Sequence, residues 1–277
     1  MKTIVIVGLG LIGGSMALAL NRSENFTVLG IDRDETVINR AKQRGINADT
    51  VQSSLLSKAD IIVLALAPHA AYTFLKTNVA QIPSKAIITD VCGVKARIVQ
   101  QCEPLCQQQG LRFVGGHPMA GKEQSGIDFA EDTLFQNASY ILTPTDSTDS
   151  EALETVRSMI TALGCSRITL ATPDEHDTMI AFTSQLPHVL AGAYVRSSRC
   201  QNQAGFSAGS FRDVSRVATV DEQLWTELFL LNGEHLCQEI DTLIEHLQQC
   251  RDAIGTKDAI ALEHVLRSGR IAKQNCG

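Results

Sequence analysis

The chain has 277 residues, with 24 Lys and Arg against 30 Asp and Glu and a formal net charge of -6. That length suits two modest domains, each able to bury a core, and the mild acidity offers no electrostatic footprint for nucleic acid or an anionic membrane. The sequence holds no run of about 18 uninterrupted apolar residues, so no bilayer span is expected and small-molecule chemistry is the default.

The opening MKTIVIVGLG carries one Lys and runs directly into glycines, without the apolar stretch and small-residue cleavage site of a secretory signal. A cytoplasmic protein is expected. TIVIV reads as a strand, and GLGLIG at 8–13 fits G-x-G-x-x-G between that strand and the helix-like LIGGSMALALNR. Gly8 permits a tight turn, Gly10 lets the backbone approach a pyrophosphate, and Gly13 allows close helix–strand packing. With Leu11 and Ile12 they open a helix whose N-terminus favours phosphates. TVLGID follows, and Asp32 ends it about 20 residues on, where a carboxylate accepts bonds from ribose hydroxyls. The same charge repels a 2′-phosphate, while the adjacent Arg33 can cover an adenine or rescue NADP. NAD is the expected cofactor.

The alternation continues through ETVINRAKQR, ADIIVLAL, HAAYTFLKTNVA, KAIITDV, VKARIVQQCEPLCQQQ, LRFVGG and SYILTP. Strand–helix alternation of this kind predicts an α/β fold, a Rossmann-type parallel sheet covered on both faces. After RITLATP the remainder reads as helices only, so residues 1–171 are expected to form the dinucleotide-binding domain and 172–277 an all-helical substrate and dimerisation domain. Leu224, Leu228, Leu231, Leu236, Ile240, Leu243 and Leu247 recur at helical spacing. That stripe serves either an intrachain core or a helical homodimer interface, and the dimer is expected. The eight cysteines show no C-x-x-C spacing. Cys102 and Cys106, and the run His235, Cys237, His246 and Cys250, lack zinc-like ligand spacing, so no metal is expected and the thiols read as small buried groups.

GGHPMAGKEQSG at 115–126 sets the chemical question. Ligands of open α/β sheets sit beyond the carboxyl ends of the strands. LRFV reads as such a strand, which puts Gly115, Gly116 and His117 in the crevice. The glycines remove side chains that would block close approach, and Pro118 biases His117 toward extended backbone. An imidazole there can take a proton from an alcohol as hydride leaves; the same residue also reads as a loop-capping histidine.

GLGLIG, DVCGVK at 90–95, GGHPMAGKEQSG, TPDEHD, SQLPH and GSFRDVSRVA, in that order along nearly the whole chain, resemble the prephenate and arogenate dehydrogenases of tyrosine biosynthesis. The resemblance implies NAD-dependent oxidative decarboxylation of prephenate to 4-hydroxyphenylpyruvate, with arogenate as the alternative substrate. It implies His117 as the catalytic histidine, Arg216 as the holder of a substrate carboxylate, His188 as a substrate-side histidine and Glu123 as a member of the active-site network. On the residues alone, Arg216 also reads as a helix-surface partner of Asp213, His188 as a core histidine and Glu123 as a solvated loop charge. Relatives restricted to arogenate lack a histidine at the His188 position, and a hydrogen-bond donor there suits a keto acid, which favours prephenate. Gly93 stands where the family usually carries Ser, leaving the reacting hydroxyl to backbone groups, water or a neighbour such as Lys95. Gln185 stands where relatives often carry a further histidine. No regulatory ACT domain is expected, so tyrosine feedback is expected at the active site itself. Two rivals stay open: a β-hydroxyacid dehydrogenase, which relies on a catalytic lysine where this half offers only Lys257 and Lys273, and a non-catalytic NAD sensor.

Overall fold

The structure is a computed structural model and describes residues 1–51 and 53–276. The first half runs β1 (Lys2–Val7), α1 (Leu11–Leu20), β2 (Phe26–Ile31), α2 (Glu35–Gln43), β3 (Ala48–Asp49), α3 (Ser53–Leu56), β4 (Ile61–Leu64), α4 (Pro68–Asn78), β5 (Ile87–Asp90), α5 (Ala96–Gln108), β6 (Arg112–Met119), β7 (Ser139–Thr143), α6 (Ser150–Ala162) and β8 (Arg167–Leu170). The strands form one sheet in the order β3-β2-β1-β4-β5-β6-β7-β8. Ile4, Val5, Ile6, Ile61, Ile62 and Val63 are fully buried, as both faces of a helix-covered parallel sheet require. The order reverses between β1 and β4, and the crevice beyond that point is the ligand position of such sheets.

One pair departs from the expected parallel sheet. β6 and β7 run antiparallel, Gly115 opposite Thr143 and His117 opposite Ile141. The reason is the 120–138 connection, which returns to the sheet without a crossover helix. β6 is also longer than LRFV. It pairs with β5 only up to Val114, and its continuation through His117 pairs in the sheet with β7. His117 therefore sits on a strand that overshoots its neighbour, not in a loop after it.

From Pro173 onward the described chain is helical: α7 (Pro173–Ile180), a single π-helical turn (Ala181–Gln185), α8 (Leu186–Val195), α9 (Gly209–Ser215), α10 (Glu222–Leu231), α11 (Gly233–Gly255) and α12 (Ala259–Asn275), with short 3₁₀ turns between some of them. Thr172 and Glu175 form a capping box at the start of α7, with Pro173 in the first helical position. The π turn has a local cause. Pro187 has no N–H for the carbonyl of Thr183, and its ring would press on that carbonyl; a wider turn makes the room. The apolar stripe is divided: Leu228 and Leu236 are buried within the chain, whereas Leu224 and Leu247 are exposed. α12 has no buried residue in the isolated chain.

The halves meet where α7 packs on α5 and β7. At the end of β5, Asp90 is fully buried and ion-paired with the fully buried Lys95. Asp90 also accepts from the N–H of Cys92 at 2.9 Å and of Gly116 at 3.1 Å, and Lys95 Nζ donates to the Gly116 carbonyl at 2.7 Å. This pair clamps β6 one residue before His117. Removing one partner strands the other charge in the core, so Lys95→Met is expected to lower unfolding free energy by about 3–5 kcal/mol, read from the denaturant midpoint.

Candidate active site

Gly8 has φ +91°, and a Cβ there would meet the Ala65 carbonyl oxygen at 2.4 Å; a Cβ on Gly13 would meet the Gly8 carbonyl oxygen at 1.9 Å. Only glycine fits either position. A Cβ on Gly10, by contrast, would face open space. Gly10 is the N-cap of α1, which has no side-chain cap and no acidic residue in its first turn, so the backbone groups of Leu11 and Ile12 open an uncapped, electropositive helix end. Asp32, just past β2, accepts from Leu9 N at 2.8 Å and from Asp34 N at 3.1 Å. Each oxygen keeps acceptor capacity for a hydroxyl. Arg33 is exposed beside it. The cradle, the helix end and the carboxylate fit a dinucleotide.

Three strands away lies the half-buried His117. Its Nδ1 lies 2.9 Å from Nε2 of His176, and Nδ1 of His176 lies 2.7 Å from Oδ1 of Asp177. Asp177 in turn accepts from Lys95 N at 2.7 Å and Ala96 N at 2.8 Å, the first N–H groups of α5. The carboxylate can only accept, so His176 donates from Nδ1; its Nε2 then accepts from Nδ1–H of His117. That order leaves Nε2 of His117 as the bare, basic atom. It takes no hydrogen bond from any described residue and lies 3.9 Å from where a Gly93 Cβ would stand. Burial lowers the His117 pKa well below the ordinary histidine value, with His176 and then Lys95 adding to the shift. His176 is lowered by burial as well, against the opposing pull of Asp177.

His176 and Asp177 were not singled out by sequence reasoning, although they stand adjacent in TPDEHD; the signal was a His-Asp pair one turn past a capping box. Lys95, expected as a neighbour for the reacting hydroxyl, is instead committed to Asp90 and the Gly116 carbonyl. Arg216, at the end of α9, does not pair with Asp213. It donates to Glu123 Oε1 at 2.6 Å across the two halves, and that bond holds the Glu123 carboxyl below its usual range. His188 stacks on Trp225 with ring centroids 3.8 Å apart, and its Nδ1 donates to the Ser184 carbonyl at 2.7 Å. Burial lowers its pKa, so the neutral ring offers Nε2 as an acceptor. That is the reverse of the donor expected from sequence. Gln185 is buried and takes part in a closed network: Asn232 Nδ2 donates to Gln185 Oε1 and to the Asp177 carbonyl, each at 2.8 Å, and Gln185 Nε2 donates to the Leu228 carbonyl at 3.2 Å.

Among the described residues no group of three or more His, Cys, Asp or Glu side chains could hold a metal ion. Burial pushes the Cys102 thiol up to about 12.

The model for the prephenate dehydrogenase nucleotide-binding domain matches residues 16–169, and that for the prephenate dehydrogenase dimerization domain matches 172–268. The chain belongs to the prephenate dehydrogenase family. Prephenate dehydrogenase of Lactococcus lactis subsp. cremoris (strain MG1363) is 35% identical over 283 residues, covering 99% of this chain and 77% of that one. Among solved structures, prephenate dehydrogenase from A. aeolicus in complex with hydroxyphenyl propionate and NAD+ is 28% identical with a TM-score of 0.87, covering 100% of this chain and 99% of that one. Synechocystis arogenate dehydrogenase is 32% identical with a TM-score of 0.82, over 99% and 100% of the two chains. Prephenate dehydrogenases are NAD-dependent oxidoreductases, and the chain shares their Rossmann-type nucleotide-binding domain followed by a helical domain.

Two outcomes follow from this geometry. A lowered His117 pKa keeps the base form as pH falls, so the acid limb of the kcat/KM profile is expected below about pH 6.5; a limb at or above that value would remove His117 as the group observed. Gly93 lacks a positive φ, and a Cβ there meets only the Leu228 methyls at 3.6 Å and His117 Nε2 at 3.9 Å, both ordinary contacts. Gly93→Ser is therefore expected to leave the thermal midpoint unchanged. It should raise kcat/KM a few-fold, the worth of one added neutral hydrogen bond of about 0.5–1.5 kcal/mol.

Proposed function

We propose that the protein converts prephenate to 4-hydroxyphenylpyruvate and carbon dioxide with His117 as general base. The observation that carries this is the Asp177–His176–His117 chain, which fixes the tautomer of His117 and leaves its Nε2 bare and facing Gly93. NAD, when bound, supplies the hydride acceptor; Gly8, Gly10, Leu11, Ile12 and Gly13 would cradle it, with Asp32 on a ribose and Arg33 beside the adenine. His117 takes the proton of the ring hydroxyl as its carbon becomes a carbonyl. The electrons released by the departing carboxylate then flow to that oxygen, and His117 returns the proton to the phenolate. The imidazole is regenerated, and its lowered pKa makes the protonated ring a willing donor in that last step.

Arg216 has N–H donors beyond the one it gives Glu123, and its planar fork suits a substrate carboxylate. Glu123 holds that fork in place. His188, stacked on Trp225, lies within the field of Arg216, and Gly93 faces His117. A specific observation favours a second reading, arogenate as substrate: neutral His188 presents an acceptor, which suits an ammonium better than a keto oxygen.

The active form is proposed to be a homodimer joined through the helical half, with the boundary between the halves near residue 171. α12 buries nothing in its own chain and exposes Ile260 and Leu266 at 85% and 64%, a face that costs free energy in water unless a second copy covers it. The proposed location is the cytoplasm, where buried thiols such as Cys92, Cys102 and Cys106 persist reduced.

Initial rates with prephenate and with arogenate, each with NAD and NADP, test the reading. Prephenate with NAD is expected to give turnover, NAD is expected to be preferred over NADP, and His117→Asn is expected to cut kcat by about 10²–10⁴-fold while NAD still binds. A higher kcat/KM for arogenate transfers the assignment to the second reading, and NADH binding without turnover on either acid sinks both.

A further inference from the structure

α10 makes three contacts within four residues. Trp225 stacks on His188, Glu227 reaches into the other half of the molecule, and the Leu228 methyls lie over Gly93 beside His117. Oε1 of Glu227 accepts from the backbone N–H of His69 at 2.5 Å. His69 is the second residue of α4, and α4 lacks a cap of its own: Ala67 at its N-cap offers no side-chain acceptor, and Pro68 occupies its first position. The turn leading into α4 is the one against which Gly8 is packed, since a Cβ on Gly8 would strike Ala65 and Leu66. The cap that α4 needs is thus supplied by the helix whose Trp225 stacks on His188 and whose Leu228 lies over Gly93.

We propose that Glu227 is a positioning residue that couples the nucleotide cleft to the substrate pocket. By capping α4 at the edge of the cleft, it fixes where α10 holds Trp225 and Leu228 over His188 and His117. A surface cap from α4's own sequence would stabilise that helix equally well but would leave α10 unattached to it. The Leu228 carbonyl, bonded by Gln185, carries the same constraint into the network around Asp177. The proposal rests on the dehydrogenase reading above.

Trp225 is the single tryptophan of the chain, so its emission reports the seating of α10. NAD is titrated into the full-length wild type, Glu227→Ala and Glu227→Gln, with tryptophan emission followed and NAD affinity measured in parallel by calorimetry. In the wild type, NAD is expected to change the emission. In Glu227→Ala, NAD still binds, the emission change is mostly lost, and the KM for prephenate rises about three- to tenfold with the acid limb of the pH profile unmoved. Glu227→Gln keeps an acceptor oxygen and is expected to recover most of both. Should the Ala variant be too unstable to purify, Glu227→Asp, with a shorter reach, is expected to fall between wild type and loss. The proposal is overturned if NAD leaves wild-type emission unchanged, or if Glu227→Ala lowers only the thermal midpoint while emission response and KM stay as in wild type. Absence of wild-type turnover on prephenate and arogenate would sink the dehydrogenase reading, and the emission titration would still decide the coupling.

Discussion

Asp177 is almost wholly buried on α7, and both of its oxygens accept backbone N–H groups from the first residues of α5. A carboxylate taken out of water is stable only when its acceptor sites are filled. Here the filling groups are the orphan donors of a helix end in the other half of the molecule, so each side satisfies the other. Everything downstream inherits that position. His176 follows from Asp177, His117 from His176, and the direction of the basic nitrogen from both.

A second buried charge works from the other side. Asp90 and Lys95 grip the backbone of Gly116, so His117 is held by main chain below and by imidazole above. The two glycines before it admit that grip. A Cβ on Gly116 would meet the Asp90 carbonyl at 2.9 Å, and one on Gly115 would meet Thr143 Oγ1 at 2.3 Å. The spacing of GGH is thus set by close packing beneath the histidine as much as by access above it.

The glycine turn, the helix start and the strand end around GLGLIG and Asp32 were legible as structure because they are local, all within about 25 residues. The extended backbone of His117 was legible for the same reason, from two glycines and a proline beside it. The partners of the site were not. Arg216 and Glu123 lie 93 residues apart, and Asp177 and Lys95 82 apart, so their pairing depends on how the helical half docks. His188 shows the finer limit: its position was readable, but its hydrogen-bonding sense turns on the Ser184 carbonyl one helical turn back. The antiparallel β6–β7 pair escaped because strand content carries no direction when the connection lacks a helix.

The π turn at Ala181–Gln185 has a consequence for phase. α7 and α8 follow one another without a break through this turn, and a turn closed by i→i+5 bonds inserts one residue into the winding, which sets every side chain beyond it back by about 100°. His176 and Asp177 lie before the insertion and His188 lies after it. The angle between His176 and His188 about the helix axis is therefore a counted quantity, fixed by how many residues the turn contains and insensitive to what most of them are.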